Sequence, residues 1–192
     1  MHTDIVFPKG NEKEMAETAR MLGYDKLLMV YDYMQGFRFP QLDTDVKVCF
    51  GLLCLGPQVA KARRLCDFVV VKSNDRSVIE KDRPDMIFGF ENEDRIDGLH
   101  TRRSGLNQVL CSLLAKNKIV VGLSFKSLLT ASPRYRVRLL GRFMQNVALC
   151  RKYNVEMCLA SFATSPYGLR NPKDLDALSR ILGIPASPVP RW

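Results

Sequence analysis

Apolar, β-branched runs alternate with stretches of helical period along almost the whole chain. Strands are predicted at residues 4–7, 26–31, 46–53, 68–71, 86–88, 119–124 and 156–160, and helices at 12–22, 58–65, 75–81, 104–116, 135–153 and 172–182. Runs such as FVVV and KIVVGLSF lack polar alternation, so these strands are expected to be buried on both faces. A parallel sheet covered by helices meets that requirement. Repeated strand–helix units point to a small TIM-barrel-like α/β fold of about seven mainly parallel strands, with an open doubly wound sheet as the other arrangement the pattern permits. One connection is irregular: DYMQGFRFPQLDTD, which follows Tyr31 and leads to Val46, contains Gly36 and Pro40 and has no apolar helical period. A helix is expected to be missing there.

Residues at the predicted helix ends agree with this reading. Asn11 and Glu14 have the spacing of a capping box. Asn171-Pro172 opens the last helix and Gly183 supplies a left-handed stop after Leu182. The chain contains no internal repeat, so a single domain is expected over 1–192, with a short Pro-rich tail (PASPVPRW) from about residue 185.

Composition narrows the chemistry. No apolar run approaches the ~18 residues a membrane-spanning helix requires, and the first residues lack the basic lead of an export signal, so a cytoplasmic location is expected. The six cysteines fall in apolar patterns without a C-x-x-C pair, which fits buried thiols. With only His2 and His100 available, neither a protein-bound metal nor a histidine-based catalytic site is expected.

Charge is segregated. Residues 1–100 carry 14 Lys and Arg against 17 Asp and Glu, a net of −3, whereas residues 101–192 carry 15 against 3, a net of +12. A half so poor in anions calls for an extended negative partner; nucleic acid is favoured over an anionic membrane, because no amphipathic basic helix with exposed aromatics is present. On the helix that starts at Pro133, Val137, Leu140, Phe143, Met144, Val147, Ala148 and Cys150 share the expected core face, while Arg134, Arg138, Arg142 and Lys152 share the opposite one. Arg134, Arg136 and Arg138 stand at the positive end of the helix dipole without a carboxylate four residues away, a placement that phosphates would relieve. Arg102 and Arg103 precede a second helix with Ser104 as its expected N-cap, which makes another candidate phosphate site. A solvated stripe, and arginines reaching back to Glu91, Glu93 or Asp94, are the alternatives without function. The loops leaving the strand ends present Asp32, Lys72, Ser73, Asn74, Glu91, Asn92, Lys126, Ser161, Thr164 and Ser165, and Tyr167 beside Arg170 has the composition of a base-stacking pair.

The run RRSGLNQVLCSLLAKNKIVVGLSFKSLL, the Arg-rich helix ending in CRKY, MCLASFA and RNPKDLDALSRILGIP together resemble the protein component 3 family of archaeal ribonuclease P, most strongly over about residues 85–185. The resemblance implies a TIM-barrel-like, non-catalytic RNA-binding subunit of ribonuclease P, which removes the 5′ leader from precursor tRNA. It implies that the RNA is the catalyst and uses Mg²⁺, and that the protein itself binds no cofactor. Its implied partners are the catalytic domain of the ribonuclease P RNA, protein component 2, the other ribonuclease P proteins and, indirectly, precursor tRNA, with no membrane. The candidate RNA-binding residues are Arg102, Arg103, Lys126, Arg134, Arg138, Arg142 and Arg170. The competing reading is a small barrel metal-dependent phosphoesterase or hydrolase, which the scarcity of histidine disfavours.

Overall fold

In the computed structural model, which describes residues 2–92, 97 and 102–185, seven strands form one parallel sheet in sequence order. They are β1 (Thr3–Val6), β2 (Lys26–Asp32), β3 (Lys47–Cys54), β4 (Val69–Lys72), β5 (Met86–Phe88), β6 (Val120–Ser124) and β7 (Met157–Ala160). Most of the predicted Pro-rich tail lies outside the described residues. The sheet curls until its edges meet just beyond β7. Val6 bridges Ala163 in parallel, the Phe7 amide donates to the Ala163 carbonyl at 2.7 Å, and the Phe162 amide donates to the Ile5 carbonyl at 2.9 Å. Asp4, fully buried, completes the seam by accepting from the Ser161 amide at 2.7 Å and the Ile5 amide at 2.9 Å. Burial pushes its carboxyl up to about 6, against these hydrogen bonds.

The period of two along each strand divides the side chains between two cores. Ile5, Leu28, Val30, Phe68, Val70, Met86, Phe88, Val120, Cys158 and Ala160 point into the barrel and pack on one another. Their neighbours Val6, Leu27 and Met29, and Val69, Val71, Ile87, Val121, Leu123 and Leu159, point outward under the helices. Those helices are α1 (Glu12–Leu22), α2 (Val59–Ala62), α3 (Gln108–Asn117), α4 (Phe125–Thr130), α5 (Pro133–Lys152) and α6 (Pro172–Leu182).

The connection from β2 to β3 has no helix, as its Gly36 and Pro40 foretold. Aromatic rings cover the sheet there instead: Phe39 stacks on Phe50 at 4.9 Å and meets Phe37 edge-on at 5.1 Å, and Phe37 lies 5.4 Å from Tyr31. The helix expected at 75–81 forms at 76–82, with its Val78–Asp82 part wound as a π-helix. Two local expectations fail. The Asn11 side chain does not cap α1; it accepts from the Lys9 amide and donates to the Thr164 carbonyl. α3 starts at Gln108, and Asn107, not Ser104, caps it by accepting from the Leu110 amide at 2.9 Å. The reason is Gly105: at φ 82° it turns the chain over Phe90, where a side chain would collide with the Phe90 carbonyl, and the turn delays the helix while burying Ser104.

Candidate nucleic-acid interface

The basic half of the chain is organised by α5. Pro133 suits the first turn of this helix, and its core stripe is Leu139, Phe143, Val147 and Cys150, with Arg142 and Asn146 among them. The stripe is rotated from the expected one: Val137 and Met144 are 73% and 55% exposed. The polarity of Arg142 and Asn146 concealed the true face, because their partners come from far along the chain. Arg142 sends Nε and Nη2 to one Asp97 oxygen at 3.0 and 2.8 Å and Nη1 to the Glu91 carbonyl at 2.8 Å. Asn146 donates to the Ser104 carbonyl at 2.9 Å. Arg142 therefore does not belong among the phosphate-facing residues. It is fully buried and its charge is neutralised inside the protein.

What Arg142 and Asn146 achieve is to hold the segment leading into α3 against α5. Arg102 lies along the helix there, donating to the Gly141 carbonyl at 3.3 Å, with its guanidinium where a side chain at residue 141 would stand. Arg102, Arg103, Arg134 and Arg138 are all exposed. Asp97 is drawn up by partial burial, but the Arg103 amide, Arg142 and the nearby Arg138 charge outweigh that and hold its carboxyl below the usual range. The structure does not bring Arg102 and Arg103 to the N-terminus of α3, since the helix starts later than expected. Arg136 is engaged elsewhere: it collects the carbonyls of Leu128, Leu129 and Ala131, the last acceptors of α4. Glu93 and Asp94, the other acids considered as partners for these arginines, lie outside the described residues.

Lys126 and Arg170 gather at the opposite end of α4, beside the carboxyl ends of the strands. Lys126 donates to the Thr164 hydroxyl at 3.0 Å. Arg170 sits over the Phe125 ring at 5.8 Å and donates to the Tyr167 and Leu169 carbonyls. The barrel mouth itself is filled by rings, Phe88 and Phe162 at 5.0 Å and Phe7 on Phe162 at 5.6 Å. Among the described residues no three His, Cys, Asp or Glu side chains converge as metal ligands would. Glu91 is buried near the mouth with neither carboxylate oxygen hydrogen-bonded to another described residue; burial pushes it up to about 7, with its own backbone amide, Lys72 and Arg142 only partly offsetting this.

Sequence reasoning missed Lys9, Asp97, Gly141 and Asn146. Lys9 stands in the half of the chain where acids outnumber bases, so a charge count by halves hid it. The other three act only through contacts made across the fold.

The family described as RNase P subunit p30 matches over residues 54–189. Ribonuclease P protein component 3 of Methanosarcina acetivorans is 33% identical over 130 residues, 66% of this chain and 51% of that protein. The protein of the same name from Methanocaldococcus jannaschii is 27% identical over 132 residues, 67% of this chain and 54% of that one. The chain spans about half the length of these curated relatives. A chain of the cryo-EM structure of archaeal ribonuclease P with mature tRNA superposes with a TM-score of 0.77 at 22% identity, over 96% of this chain and 84% of that one. The histidinol phosphate phosphatase of Lactococcus lactis, solved with zinc, L-histidinol and phosphate, superposes at 0.59 and 10% identity over 95% and 94% of the two chains. These two likenesses show a shared fold.

Proposed function

Because this chain belongs to the RNase P subunit p30 family, we propose that it is an RNA-binding subunit of ribonuclease P that supports RNA-catalysed removal of the 5′ leader from precursor tRNA. The observation that carries the proposal is the strip of exposed guanidinium groups, Arg102, Arg103, Arg134 and Arg138, in a half of the chain with a net charge of +12. Phosphate oxygens supply the missing anions, and this contact positions the protein without reading sequence. Lys126 and Arg170 extend the footprint past α4. The partners are the catalytic domain of the ribonuclease P RNA, protein component 2 and the other ribonuclease P proteins, with precursor tRNA engaged indirectly, in the cytoplasm. The protein holds no cofactor; Mg²⁺ serves the RNA. No helix of the described residues is long and apolar enough to cross a membrane.

Reconstitution tests this. The chain mixed with the RNA and component 2 is expected to raise precursor tRNA cleavage over the RNA alone, and to cleave nothing when the RNA is left out. Cleavage without RNA, or no retention of the chain by the RNA and component 2, would overturn it.

A further inference from the structure

The loops that follow β1, β6 and β7 meet at one place on the surface, and part of what they bring there has no role in the fold. Lys9 follows β1, Lys126 opens α4 after β6, and Thr164 to Arg170 follow β7. Asn11 ties the first loop to the third, accepting from the Lys9 amide at 3.0 Å and donating to the Thr164 carbonyl at 3.1 Å. Lys126 ties the second to the third through the Thr164 hydroxyl. A short 3₁₀ turn, Pro166–Gly168, then carries Tyr167, whose side chain makes the residue 93% exposed although its carbonyl is pinned by Arg170 at 2.9 Å. Gly168 lets this turn press on the barrel, since a side chain there would come within 3.0 Å of the Ala163 methyl.

Two features of this surface ask for a ligand. Among the described residues no carboxylate pairs with Lys9, Lys126 or Arg170, and burial together with the neighbouring Lys9 charge draws the Lys126 ammonium below its usual range. Two cations held together without an anion favour a phosphate between them. Tyr167 presents an aromatic face to solvent from a rigid backbone, beside a cation, which suits a base that is free to leave its own stack.

We propose that these loops bind single-stranded RNA, with Lys9, Lys126 and the Thr164 hydroxyl holding a phosphate and the ring of Tyr167 stacking on an adjacent base. This rests on the RNA-binding reading above and names the class of strand that the end of the barrel takes, apart from the arginines of α5. The bases of a duplex are already stacked and would not reach Tyr167. The site therefore selects unpaired nucleotides, without choosing among them by sequence.

Fluorescence anisotropy of labelled hexauridylate, with a short RNA duplex as the comparison, tests the assignment on the full chain. The wild-type chain should prefer the single strand. Tyr167→Ala should weaken hexauridylate binding about tenfold while Tyr167→Phe keeps it, because stacking of one base contributes ~1–3 kcal/mol. Lys9→Ala with Lys126→Ala should weaken it further and reduce the slope of log K against log salt by roughly 0.7 for each phosphate that is no longer held. Circular dichroism of each variant excludes unfolding as the cause. If both variants bound hexauridylate like the wild type, the site would be wrong. A wild-type chain that bound the ribonuclease P RNA but no hexauridylate would also overturn this assignment while leaving the proposed function intact. Binding to neither RNA would overturn both. If Tyr167→Ala kept RNA affinity and lost component 2, the surface would be a protein interface, contrary to the proposal.

Discussion

Inside the barrel, Ile5, Leu28, Val30, Phe68, Val70, Met86 and Val120 pack on one another as an apolar cluster, whereas the seam between α5 and the segment leading into α3 buries Arg142, Glu91, Ser104 and Asn146. The interior follows the rule that apolar surface leaves water, and it gives the fold its stability. The seam departs from that rule at a cost, because both Glu91 oxygens, the Ser104 hydroxyl and the Asn146 carbonyl oxygen are buried without a partner. In return, Arg142 and Asn146 fix the chain on which Arg102 and Arg103 are carried. One region holds the molecule together and the other sets the position of its basic face.

Substitutions in the two regions should separate these roles. The largest loss is expected inside the barrel: Phe68→Ala should cost about 3–5 kcal/mol in urea unfolding, the usual range for a buried phenylalanine, with RNA affinity of the folded fraction kept. Arg142→Ala should cost about 3 kcal/mol, since it removes the cation paired with Asp97 and the donor to the Glu91 carbonyl. It should also speed amide exchange in residues 102–107 selectively, and Arg142→Lys should not restore protection, because a single ammonium cannot span both acceptors. Equal exchange throughout the protein would contradict the division of roles. Next in size comes Glu91→Gln. A carboxyl raised to about 7 in the folded protein from 4.5 binds more protons folded than unfolded between those values, so stability falls as pH rises through that window and stays low above it. Glu91→Gln should flatten the fall and stabilise the protein at pH 8 by on the order of 2 kcal/mol, read as a shift of the urea midpoint; Asp4 would leave a smaller fall ending near pH 6.

The fold was legible because barrel strands buried on both faces read as unbroken apolar runs, and all seven were located within a residue or two. The missing helix after β2 was legible from Gly36 and Pro40, and the start of α6 from Asn171, whose side chain accepts from the Lys173 amide at 3.0 Å. The basic face was legible only in part. A helical wheel assigns polar residues to solvent, so it turned α5 away from its true core stripe and placed Arg142 on the surface, when Asp97, 45 positions earlier in the chain, holds it inside. Ser104 had the right residue type for a cap, but Gly105 and Leu106 behind it fold the chain inward before Asn107 does the capping. Local signals set local structure. The partners of a buried polar group come from the fold.

The variant expected to disturb stability least is the one that removes the exposed arginines of α5. Arg134→Ala with Arg138→Ala removes two exposed side chains and should change stability by under about 0.5 kcal/mol for each. The affinity of the chain for ribonuclease P RNA, measured across a salt series, should nevertheless fall, and the slope of log K against log salt should lessen by roughly 0.7–0.9 for each phosphate that the variant no longer neutralises. An unchanged affinity and slope, with component 2 binding abolished in their place, would show that this strip binds protein and not RNA.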